Sequence, residues 1–172
     1  MTHIPSPHRS RSLLAELTPR NLALAAGGAS GALLIAALGF QAAGYAPCEL
    51  CILQRWPHLA AVVVAGIVLL TGFRRLWGIL GMALAAIATG LAVYHTGVEL
   101  QWWAGPAACS GGLGDLSQLS TGDLLAQIRG AQVIRCDQPA WVFLGLSMAA
   151  WNALISAGLT VLWGASVARA RA

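Results

Sequence analysis

Four cysteines stand out as the residues able to do chemistry: Cys48, Cys51, Cys109 and Cys136. Cys48-Glu-Leu-Cys51 is a Cys-x-x-Cys element placed where a long apolar stretch begins. If it opens a helix, residues three apart share one face. The free N–H groups and partial positive charge of a helix N-terminus favour a thiolate there, and the thiolate is the attacking species in disulfide exchange. Cys109 and Cys136 lie far apart on a loop-like segment with glycines at 111, 112 and 114. A disulfide between them is within reach of a soluble partner. Pairing Cys48 with Cys51 and Cys109 with Cys136 therefore gives one accessible pair and one held at a helix end, the layout of a thiol relay. Two plainer readings stay open at this point. One is a pair of static structural disulfides. The other is a zinc site, although Cys109 and Cys136 lack the second Cys-x-x-Cys knuckle such a site normally has.

The elements that position these thiols follow from charge. The chain has 172 residues, about one domain's worth, of which 58% are hydrophobic and only 9% charged; soluble domains carry roughly 25% charged residues. Residues 21–48, 56–73, 76–98 and 138–168 contain no Asp, Glu, Lys or Arg. A membrane helix needs about 20 apolar residues, so four spans are expected, at about 22–43, 51–72, 76–96 and 140–165. The net charge is +4 and all ten basic residues are arginine. They sort by loop, which removes the need for a nucleic-acid partner. With both termini on one side, that side holds Arg9, Arg11, Arg20, Arg74, Arg75, Arg169 and Arg171 against a single acid, Glu16. The positive-inside rule makes it the cytoplasmic side. Residues 1–20 and 167–172 then read as cytoplasmic tails flanking a transmembrane domain at 21–166. The loops at about 44–50 and 97–139 face outward, and all four cysteines lie in them or at their edge, where disulfides persist. A cleaved signal peptide is a poorer reading, because the apolar stretch is far longer than a 7–15-residue h-region; Pro47 argues likewise against lipoprotein processing at Cys48.

Within this frame the sequence predicts an all-α membrane protein, a four-transmembrane-helix bundle. Gly27-Gly28-Ala29-Ser30-Gly31 supplies a small-residue packing face for the first span. Trp56, Trp102, Trp103 and Trp141 fall at the outer ends and Trp77 and Trp163 at the inner ends, as expected of headgroup-level indoles, leaving Trp151 mid-span. Ser120 precedes Asp123 by three residues, a capping-box-like start. Leu124, Leu125 and Ile128 then share a face, which suggests a short helix lying on the membrane surface or packed on the bundle.

Arg55 changes the weight of the thiol pattern. It follows Cys51 by four residues and so shares its face. Charges at membrane depth are costly and usually functional, and a helix N-terminus disfavours a cation. A thiolate or the oxyanion of a reduced quinone would compensate it; the plain alternative is an arginine snorkelling to the headgroups. His95, at the outer end of the third span, is then a candidate donor to a quinone carbonyl. His58, next to Pro57, is a weaker candidate.

These residues resemble the DsbB family of bacterial inner-membrane disulfide oxidoreductases. The resemblance rests on Pro47-Cys48-Glu49-Leu50-Cys51-Ile52-Leu53-Gln54-Arg55, on Tyr94-His95-Thr96-Gly97-Val98-Glu99 with Trp102, and on Pro106 through Cys109. It continues with Cys136-Asp137 and with Trp141-Val142-Phe143-Leu144-Gly145-Leu146-Ser147-Met148, Trp151 and Asn152. It implies a four-helix bundle binding a quinone, ubiquinone or menaquinone, at its periplasmic end. It implies that Cys109–Cys136 reoxidises a periplasmic thioredoxin-fold dithiol oxidase of the DsbA type, with Cys109 taking the mixed disulfide. Cys136 would then exchange with the membrane pair through Cys48. Cys51 would be the thiolate facing the quinone, activated with it by Arg55, and His95 and Met148 would lie near the quinone. Gln54 stands where some members have an acid. Two rival readings are a quinone or quinone-epoxide reductase resembling the vitamin K epoxide reductase family and a structural membrane subunit with static disulfides. A transporter fits less well, since no expected span holds an acidic residue.

Overall fold

A computed structural model of the chain describes residues 17–106 and 135–170. Four long helices dominate it: α1 (Pro19–Ala42), α2 (Glu49–Thr71), α3 (Arg75–Glu99) and α4 (Met148–Arg169). Each is long and apolar enough to cross a membrane; the 24 residues of α1 extend about 36 Å at ~1.5 Å per residue. The helices form a ring in which α1 packs on α2, α2 on α3, α3 on α4 and α4 back on α1. Leu70 is 85% exposed and Ile35 is 73% exposed on the outside of this ring, an arrangement suited to lipid rather than water. The chain is therefore an all-α membrane bundle. The short helix expected near 120–130 and most of the N-terminal tail lie outside the described residues.

Local chemistry sets the helix limits. Thr18 caps α1 by accepting from the Asn21 N–H at 3.1 Å, with Pro19 at the first helical position. Gly72, at φ 82°, ends α2, a conformation glycine adopts without penalty. Small residues then bring the helices together. A Cβ added to Gly27 would lie 2.1 Å from the Cβ of Ala65, so the glycine cluster of α1 does face α2. Likewise a Cβ on Gly81 of α3 would sit 2.4 Å from the Trp163 ring of α4.

The structure corrects three expectations, the start of the fourth helix and the places of Trp151 and Trp163. The fourth helix does not begin near 140. Residues 142–147 fold into a small antiparallel hairpin, β1 (Val142–Phe143) and β2 (Leu146–Ser147), turning through Leu144 at φ 51° and Gly145 at φ 79°. Ser147 then caps α4 by accepting from the Ala150 N–H at 3.1 Å. The uncharged run hid this turn because hydropathy does not register backbone conformation. With the later start, Trp151 lies in the first turns of α4 and not mid-span, its indole donating to the Phe143 carbonyl at 3.1 Å. Trp163, expected at the headgroups, is instead 0% exposed and packed on Gly81. The missing side chain at Gly81 makes room for it inside the bundle.

Candidate functional site

The site lies at the bundle end opposite the arginine-rich α2–α3 turn. Cys48 is the N-cap of α2, its sulfur accepting from the Cys51 N–H at 3.3 Å. Both Cys48 and Cys51 are free thiols. The Cys48 thiol donates to the Cys51 sulfur at 3.0 Å. That bond, with burial, pushes the Cys48 thiol above the usual cysteine range, while His95 pulls it the other way. The His95 Nε2 lies 3.6 Å from the Cys48 sulfur. The two sulfurs and a His95 ring nitrogen fall within 4.8 Å of one another, three donors where a structural zinc takes four.

Cys136 is disulfide-bonded and 0% exposed. It belongs to the same buried cluster as Cys48, Leu50 and Val98, against which Cys51 and Tyr94 pack. The static apolar core, built on Ala26, Val64, Val68 and Trp163, is a separate cluster. Beside Cys136, exposed Arg135 and half-buried Asp137 are joined by a 2.8 Å hydrogen bond from the guanidinium Nε. That bond raises the arginine above its ordinary value and lowers the aspartate below its own. Cys109 lies outside the described residues.

A cavity of about 210 Å³ opens beside the free thiols. α1 and α4 supply its apolar walls, including Leu33, Phe40 and Ile155, with Trp141 from the segment leading to the hairpin. Cys51, Arg55, His95 and Met148, the four sequence-derived candidates for cofactor contact, all line it. The Arg55 guanidinium donates to the Gln41 side chain at 2.8 Å, and among the described residues no carboxylate pairs with it. An unneutralised cation at one end of an apolar slot suits a flat ligand that gains negative charge at its polar end.

A row of buried and half-buried polar side chains, of which His58 alone was a candidate from the sequence, continues from His95 into the bundle. Gln54 bonds His95 at 2.7 Å, Asn152 bonds Gln54 at 2.7 Å, and His58 bonds Asn152 at 3.1 Å. Ser30 and Ser156 complete it, and both are buried. On the other side of His95, Glu99 lies 3.9 Å away and accepts a hydrogen bond from Ser147. The signal was present in the sequence. Gln54 and His58, and Asn152 and Ser156, are pairs four residues apart on otherwise apolar helices, which puts each pair on one face.

The family model described as disulfide bond formation protein DsbB matches residues 19–166. The chain belongs to the DsbB family. The disulfide bond formation protein B of Xylella fastidiosa is 31% identical over 127 residues, covering 69% of this chain and 72% of that protein. Its namesake from a Polaromonas species is 32% identical over 117 residues, covering 64% and 67%. An uncharacterized protein of Rickettsia prowazekii is 25% identical over 121 residues, or 70% of each chain. No solved structure gives a significant match. Membership in the DsbB family makes the chain a multi-pass membrane oxidoreductase of disulfide bond formation, in agreement with the resemblance read from its motifs.

Proposed function

We propose that this DsbB-family protein reoxidises a periplasmic thioredoxin-fold dithiol oxidase of the DsbA type and delivers the electrons to a membrane quinone, ubiquinone or menaquinone. The observation that carries the reading is the juxtaposition of three things at one end of the bundle. They are a free thiol pair, a buried disulfide-bonded cysteine in the same cluster, and an apolar cavity holding Cys51 and Arg55. The end bearing Cys48 faces the periplasm in this reading and both termini face the cytoplasm of a bacterial inner membrane, an orientation supported by the arginine distribution.

The exchange balances as follows. A partner thiolate attacks Cys109 of a Cys109–Cys136 disulfide, and Cys136 leaves as a thiolate. Cys136 attacks Cys48 of an oxidised Cys48–Cys51 pair and releases Cys51. The partner's second thiol closes the partner's own disulfide and frees Cys109, which attacks Cys136 and releases Cys48. The described arrangement, with Cys48 and Cys51 as thiols and Cys136 in a disulfide, matches the state after this exchange. Cys48 and Cys51 then give up two electrons and two protons and re-form their disulfide. A quinone would supply the two-electron, two-proton acceptor, and the residues that would hold it are Cys51 and Arg55 together with the apolar α1 and α4 walls of the cavity.

Direction comes from the acceptor. Oxidases of the DsbA type sit near −120 mV, and a quinone ~100 mV more positive releases roughly 4–5 kcal/mol for two electrons. The test is to supply the purified protein with reduced partner and to follow quinone absorbance. Catalytic loss of quinone together with partner oxidation is expected. Partner oxidation without quinone consumption would refute the electron route, and cytoplasmic labelling of Cys48 and Cys51 in cells would refute the topology.

A further inference from the structure

The buried row of hydrogen bonds has only one chemically consistent direction. The Gln54 side-chain nitrogen lies 3.0 Å from the Leu50 carbonyl. A carbonyl only accepts, so this atom is the donating NH2. Its second hydrogen points to His95 Nδ1 at 2.7 Å, which must then be an unprotonated acceptor. The Gln54 oxygen faces Asn152 Nδ2 at 2.7 Å. The Asn152 oxygen therefore accepts from Ser156 Oγ at 3.3 Å and from His58 Nε2 at 3.1 Å. With its proton on Nε2, His58 takes the Ser30 hydroxyl on Nδ1 at 3.4 Å. Every donor in the row points toward His95. The single proton of a neutral His95 is thereby left on Nε2, 3.6 Å from the Cys48 sulfur.

We propose that Gln54, Asn152 and His58 are positioning residues that lock His95 in its Nε2–H tautomer, so that it presents an N–H and not a lone pair to Cys48. This deepens the proposed oxidase reading and rests on it for its purpose. The Cys48 sulfur already accepts from the Cys51 backbone N–H at 3.3 Å. A second donated N–H stabilises the thiolate that forms when Cys109 displaces Cys48, so Cys48 becomes a better leaving group. His95 held this way cannot remove the Cys48 proton. The other titratable groups around the ring are Glu99, 3.9 Å from Nε2 on its own helix, and Cys51, bonded to Cys48, with Arg55 lining the same cavity. Were the row reversed, His95 would be a base for Cys48. The directed row makes it a donor. The requirement for an amide at position 54 follows, since a carboxylate there cannot donate to Nδ1.

The test is nitrogen-15 NMR of the full-length reduced protein in nanodiscs with ring-labelled histidine, the His95 signals among the four histidines being assigned by their loss in His95→Gln. In the wild type the proton is expected on Nε2 alone. Gln54→Glu should move it to Nδ1, and Gln54→Leu should give a mixture of tautomers. In a chain whose only thiol is Cys48, Gln54→Leu should also shift the midpoint of the alkylation pH profile upward. A role confined to packing would lower stability without moving either readout. Should Gln54→Leu fail to fold, Gln54→Met, which keeps the length of the side chain and removes the NH2, should still mix the tautomers. A wild-type His95 protonated on Nδ1, or a tautomer unchanged in Gln54→Glu and in whichever of the leucine and methionine variants folds, overturns the proposal. Neither readout needs quinone or partner. An Nε2–H tautomer in a protein that cannot reduce quinone therefore supports this inference while defeating the oxidase reading. A wrong tautomer with normal turnover does the reverse.

Discussion

Ala23, Ala26, Ala65, Ala85 and Trp163 fill one half of the bundle, and Gln54, His58, His95, Asn152 and Ser156 occupy the other. In the first half contact is by shape. Glycines opposite Ala65 and Trp163 let backbones approach until only a hydrogen atom fits between them. In the second half each of those side chains is satisfied by a neighbour on another helix or on its own. Leaving one buried donor or acceptor unmet costs about 1–3 kcal/mol, so that half tolerates little change of chemistry and the first little change of volume. The contrast separates what holds the helices together from what is proposed to prepare the thiols.

The proposed roles sharpen that contrast. The largest effect is expected from Cys51→Ser, which should bring quinone reduction down to the uncatalysed background in a stopped-flow absorbance assay; normal turnover would remove Cys51 from the electron route. Arg55→Ala should slow quinone reduction roughly 10²-fold, the scale for losing one preorganised charge partner, while exchange between Cys109–Cys136 and the reduced partner stays near the wild-type rate. Gly27→Ala belongs to the other half. Forcing a methyl group against Ala65 should lower stability by about 1–3 kcal/mol, read as a lower thermal midpoint in detergent, with turnover per folded molecule unchanged. Reduced turnover at an unchanged midpoint would break the division between the halves. Trp163→Phe should do least. Its indole nitrogen is buried with no hydrogen-bond partner among the described residues. Removing that unmet donor offsets the lost volume, so the midpoint should move by less than about 1 kcal/mol equivalent.

Much of this was legible in the chain itself. Four long uncharged runs announce four helices because a lipid-facing backbone must satisfy its own hydrogen bonds, and such runs leave little else to form. Cys48 and Cys51 declare a helix start, since an N-cap and the residue three later share one face. The hairpin before α4 was not legible from hydropathy, although Gly145 and Ser147, a turn former and a capping residue, marked it. Trp163 misled because a tryptophan near a span end reads the same whether it faces headgroups or a glycine on the next helix. The polar row escaped because Gln54, Asn152 and Ser156 come from two helices, and only packing shows that they meet.

The hairpin has one more consequence. Trp141 lines the cavity, stacks on Phe143 with ring planes 9° apart and touches Phe40 at 5.1 Å between centroids. An indole fixed this way is an optical gauge built into the wall. A quinone absorbs and quenches, so its arrival should dim the emission of Trp141 whether or not any sulfur reacts. Occupancy and turnover then become two signals recorded separately from one sample.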